Sequence, residues 1–97
     1  MKLYKVAYVV RDVNTQIVIE DVQDELVPAR SEEFAKQKVA RGRMAAALSR
    51  WSMAQCEQYG IMLYKFKQMM RDGIIPVPNL VEVEVGKVEL EQNDYNK

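Results

Sequence analysis

Residues 81–90 read VEVEVGKVEL. Val81, Val83 and Val85 alternate with Glu82 and Glu84, the period-two pattern of a strand with one face inward and the other in water. Gly86 shifts the parity, because the apolar set resumes at Val88 and Leu90, so a bulge or turn belongs there. A single strand is not independently stable, so its partners must lie elsewhere in the chain.

The first partner is KLYKVAYVVR (2–11), rich in Val and Tyr and largely apolar on both alternating faces, as a central strand is. RDVNTQ then supplies the Asp and Asn that turns prefer, and QIVIEDV (16–22) reads as the second arm of a hairpin. QDEL (23–26) is a polar interruption. Pro28 is incompatible with the interior of a helix or of a central strand.

Ser31 opens the helical part. It precedes Glu32 and Glu33, a hydroxyl cap followed by two carboxylates where the helix dipole favours negative charge. The third residue after it is Phe34, so the reciprocal carboxylate of a capping box is missing. From Ser31 to about Tyr59, Ala, Met, Lys, Arg, Gln and Glu dominate, and one long helix is expected. Gly60 marks a break or bend. IMLYKFKQMMR (61–71) reads as a second helix, with Tyr59, Met62, Leu63, Phe66 and Met70 at helical spacing and Asp72–Gly73 as its end. The competing reading makes GIMLYKF a strand. IIPVPNL is extended or irregular, with Pro76 and Pro78 suited to an edge.

The order is therefore ββααβ. It predicts an α+β domain over residues 1–92, an antiparallel sheet of about three strands with one long and one shorter helix on one face, and a frayed tail at 93–97. Ninety-seven residues support one core, and 48% hydrophobic with 29% charged residues is a globular composition. No apolar run approaches the roughly 18–20 residues that span a bilayer, and the amino end lacks a cleavage site. The expected compartment is the cytoplasm, bacterial or host, with no membrane association.

Several chemistries are disfavoured. Histidine is absent and Cys56 is the sole cysteine, so His-dependent nucleophile pairs, thiol–imidazole metal sites and intrachain disulfides are ruled out. The four glycines lie too far apart for a phosphate loop. No enzyme activity, metal or cofactor is expected.

Charge is segregated although the total is zero. Residues 1–29 hold three basic and five acidic side chains (−2), 30–50 six and two (+4), 51–72 three and two (+1), and 73–97 two and five (−3).

The long helix carries two apolar lines, about 145° apart at 100° per residue. One is Ala35, Val39, Gly42, Ala46, Ser49, Met53, Cys56 and Gly60, mostly small. The other is Ala40, Met44, Ala47, Trp51 and Ala54, a knob-and-gap profile suited to a facing helix. At about 44 Å the helix outreaches strands of about 20–33 Å, so part of it overhangs the sheet. Either the 61–71 helix folds back over the second line or another subunit covers it; the line is the expected protein interface, most simply in a C2 homodimer, and ordinary monomer core is the bland alternative. Lys36, Arg43 and Arg50 recur every seven residues as a basic seam between the lines. With Arg30 they are the candidate contacts if the chain instead binds nucleic acid or another anion. The plainer reading makes them a solvated rim pairing with acids such as Glu82 and Glu84.

Other residues carry less. Met53, Met62, Met69 and Met70 read as core filling, Cys56 as a buried, inert thiol, Glu82/Glu84 and Glu89/Glu91 as solvated pairs, and Trp51 as either anchor or core. The resulting expectation is a small non-enzymatic protein-binding or inhibitor-type protein. Its plan suits an accessory protein of a phage or mobile element acting on an unidentified partner. The alternative is a nucleic-acid-binding regulator.

Overall fold

The computed structural model describes residues 1–95 and contains β1 (Lys2–Asp12), β2 (Val18–Ala29), α1 (Glu32–Tyr59), α2 (Leu63–Arg71) and β3 (Val81–Gln92). The strands form one antiparallel sheet in the order β2-β1-β3, and the fold is α+β as expected. β1 is central because it is apolar on both faces. Its Tyr4, Val6, Tyr8 and Val10 are buried towards the helix, while Leu3, Lys5, Ala7, Val9 and Arg11 are half-buried on the other face. Val27, Ala29 and Val81 extend the core across the sheet, and Ala35, Val39 and Ala47 of α1 close it from above.

Both edge strands bulge at the same level. Val6 pairs with Val88 and Tyr8 with Val85, so β3 spends one extra residue at Gly86–Lys87. On the other side Val6 pairs with Glu25 and Tyr8 with Val22, so β2 spends one at Gln23–Asp24. Ala7 sits between the two bulges, which add twist to the sheet.

β2 is longer than the hairpin arm read at 16–22. QDEL does not interrupt it, and the strand runs on to Ala29. Pro28, opposite Leu3, is tolerated because β2 is an edge strand, where one N–H can be lost from the outer side. The alternation was hidden because the residues of β2 that share the helix side include Glu20 and Glu25, and because the Gln23–Asp24 bulge resets the parity.

The turns follow local chemistry. Asp12 accepts hydrogen bonds from the backbone N–H groups of Thr15 and Asn14, each at 2.9 Å, and these hold its carboxyl below the usual range. Ser31 caps α1 by accepting from the Phe34 N–H at 3.3 Å. Gly60 ends the helix in the left-handed region, φ 66°, which an L side chain adopts at a cost. The segment 61–71 is helical from Leu63, and Gly73, φ 76°, reverses the chain after it. α2 lies against α1 and touches no strand. The tail expected at 93–97 falls partly, at 96 and 97, outside the described residues; within them the Tyr95 N–H donates to the Met1 carbonyl at 2.7 Å.

The molecule measures 47 × 30 × 19 Å, with a radius of gyration of 16.2 Å. A compact chain of this length has a radius of about 12.5 Å. The difference comes from a helical hairpin that is only partly supported by the sheet.

Candidate protein-interaction surface

α1 is fixed to the sheet by a polar clamp. The Tyr8 hydroxyl donates to Glu25 Oε1 at 2.7 Å, and Arg43 Nη2 donates to the same oxygen at 2.8 Å. Arg43 Nη1 lies 3.5 Å from Glu20 Oε2, and the guanidinium stands 5.6 Å from the Tyr8 ring centroid. Burial, then the hydrogen bond to Glu25, pushes the Tyr8 hydroxyl up to about 12. Tyr8 is therefore a protonated donor at neutral pH, and the cluster is an anchor between strand and helix. The pairing partners of Arg43 are these two acids of β2; Glu84 instead pairs with Arg11 at 3.3 Å.

The clamp fixes which side of α1 meets the sheet. Ala35, Val39, Arg43 and Ala47, four residues apart, follow that side in turn. Beyond Ala47 the same side continues through Arg50, Met53 and Ala54, all of them exposed, Met53 by 59%. The sheet covers the first half of this face and leaves the second half bare. On the opposite side of the second half lies α2. Trp51 meets its Phe66 edge-on, with centroids 5.6 Å apart, and Phe66 is 3% exposed.

The two lines read from the sequence are thus divided between core and solvent. Of the predicted interface, Ala47 is in the core, Ala40 is half-buried, Trp51 is half-buried against Phe66, and Met44 and Ala54 are exposed. In the other line Ala35 and Val39 are core, while Gly42, Ser49 and Met53 are exposed. The basic seam divides too. Arg43 is in the clamp, Lys36 is half-buried, and Arg30 lies 4.9 Å over the exposed Phe34 ring. Arg50 is exposed and has no acidic partner among the described residues. Lys38 donates to the Pro28 carbonyl and ties α1 to the end of β2.

A groove runs along α1 on the α2 side. Its smaller part, about 160 Å³, lies between Met44, Ala45 and Leu48 of α1 and the extended stretch 77–81. Its larger part, about 380 Å³, shares Ala45, Leu48 and Val77 and is closed by Ser52, Met70 and the cations Lys67 and Arg71. A separate hollow at the hairpin tip, about 440 Å³, is bordered by Ile61, Met62, Tyr64 and Met69. Met62 and Tyr64 there are largely exposed. α2 folds back onto the second line at Trp51, one of the two coverings expected of it, but its part in a groove was not foreseen. Its signal was the pair of four-residue steps Phe66–Met70 and Lys67–Arg71, one inward and one beside it.

Among the described residues no three His, Cys, Asp or Glu side chains gather as a metal site. Among the same residues no helix is long and apolar enough to cross a membrane. No protein-family model matches the chain, and neither a curated protein nor a solved structure matches it.

Proposed function

We propose that this chain is a small, non-enzymatic interaction protein that self-associates through the uncovered half of its long helix and binds a protein partner, as inhibitor-type proteins do. The observation that carries the reading is surface. The chain exposes 6823 Å². A folded monomer of this mass exposes about 5,700 Å². The excess of about 1,100 Å² exceeds the roughly 800 Å² that one partner buries in a standard interface. Part of it is the bare continuation of the sheet-facing side of α1, where Met53 and Ala54 are exposed. Exposed apolar side chains such as Met53 suit an interface core.

A nucleic-acid reading has less support. Arg43, the middle of the basic seam, is spent on Glu20 and Glu25, and Arg30 is stacked on Phe34.

Sedimentation velocity at micromolar concentration tests self-association. A species of twice 11.2 kDa is expected, reverting to monomer in Met53→Glu/Ala54→Glu with helix content unchanged. A concentration-independent 11.2 kDa monomer would overturn it.

A further inference from the structure

The groove along α1 is electrostatically one-sided. None of the residues that line either part of it is acidic, while Lys67 and Arg71 stand at its larger, more open end. Neither cation has an acidic partner within ion-pair distance among the described residues. Arg41 is four residues before Ala45 and so borders the same helical face at the other end. The bias extends to the whole hairpin. Residues 41–71 contain Arg41, Arg43, Arg50, Lys65, Lys67 and Arg71 against the single acid Glu57, a net charge of +5 that leaves −5 on the rest of the chain.

We propose that this groove receives an acidic amphipathic helix of a partner protein, its apolar stripe on Ala45, Leu48 and Val77 and its carboxylates against Lys67, Arg71 and Arg41. The inference rests on the interaction-protein reading and names the chemistry of the partner. Two features select a helix over a strand. The walls are side chains of two helices and an extended segment, which accept a rod with anchors at three- and four-residue spacing. The extended segment carries Pro76 and Pro78, which lack the N–H groups that strand addition would use. The groove and the proposed self-contact lie on opposite sides of α1, since Ala45, Leu48 and Ser52 are rotated by about 160° from the bisector of Met53 and Ala54. Both can therefore be occupied together.

Like charge separates the two contacts by salt. Joining two basic hairpins is helped by screening, whereas docking an acidic helix on one is weakened by it. Two labelled synthetic amphipathic helices test the proposal, with the same leucine stripe and either glutamate or lysine on the polar face. Fluorescence anisotropy with the full chain is expected to show the glutamate peptide binding at least about tenfold more tightly, the preference falling with salt. Lys67→Glu/Arg71→Glu is expected to reverse the preference, and Ala45→Phe to weaken both peptides by filling the groove. Equal binding, absent binding, or binding indifferent to Ala45→Phe would overturn the proposal. So would self-association that the glutamate peptide competes away and Lys67→Glu/Arg71→Glu abolishes, because the occupant would then be a second copy. Sedimentation of the chain alone reports on the dimer independently of all these arms.

Discussion

Trp51 and Phe66 meet edge-to-face across the helical hairpin, with ring planes 62° apart. This is the principal aromatic contact through which α2 is held, because α2 touches no strand and Phe66 is its one buried residue. Phe66→Ala is expected to cost about 3 kcal/mol where α2 is docked and to release α2 while the sheet persists. Trp51 is the sole tryptophan. Its emission should shift to the red, and amide exchange should accelerate in 63–71 but not in β1. Uniform acceleration throughout the chain would show that the hairpin and the sheet unfold as one unit.

The clamp makes Arg43 more important than its partly exposed position indicates. Arg43→Met removes two charge-assisted contacts and leaves Glu20 and Glu25 without their cation. A loss of about 1–2 kcal/mol is expected, reduced by solvent screening at a site about one third exposed. Glu25→Gln keeps an acceptor for the Tyr8 hydroxyl and should cost less. Urea unfolding with an unchanged slope provides the comparison; a larger loss for Glu25→Gln would reverse the assignment.

The clamp also predicts an alkaline limit. Tyr8 keeps its proton in the folded chain up to about 12, whereas an unfolded tyrosine loses it near 10. Above pH 10 the unfolded chain therefore binds fewer protons at this group than the folded chain does. The stabilising contribution is whole below about pH 10 and declines by about 2–3 kcal/mol as pH rises towards 12. Unfolding measured across that window should be less steeply pH-dependent in Tyr8→Phe than in the natural chain. Equal slopes would show that Tyr8 ionises normally.

The same substitution should have opposite signs at two glycines. Gly42 lies within α1, and a Cβ there meets nothing within 4 Å, so Gly42→Ala should stabilise by about 0.5–1 kcal/mol through helix propensity. Gly60 is equally open but has φ 66°, so Gly60→Ala should destabilise by about 1–2 kcal/mol through backbone strain alone. Paired thermal melts decide this. A stabilising Gly60→Ala would mean that the left-handed cap is dispensable.

Legibility in the sequence depended on how local each determinant was. The Ser31 cap, the Gly60 stop and the Gly86 bulge are set by neighbours in the chain, and each could be placed from the residues. β2 beyond Val22 could not, because its inward glutamates are explained only by Tyr8 and Arg43, 17 and 18 residues from Glu25. The two helix lines were legible, but which of their residues each support covers was not, for a similar reason. A straight stripe assumes one supporting surface, but α1 rests on the sheet through Ala47 and on α2 from Trp51, so its buried side turns around the axis. The groove needed the return path of 74–80, which has no periodicity to read.

The place of β1 in the middle of the sheet has a consequence for synthesis. Its first neighbour follows at once, but its second is made only after both helices, and the pairing of Leu3 with Gln92 joins residues far apart in the sequence. A nascent chain therefore holds a two-stranded ribbon with one open flank until residues 81–92 leave the ribosome. Until then a strand from a neighbouring nascent chain competes for the same flank, so slow elongation or loss of β3 should send this protein towards insoluble aggregates.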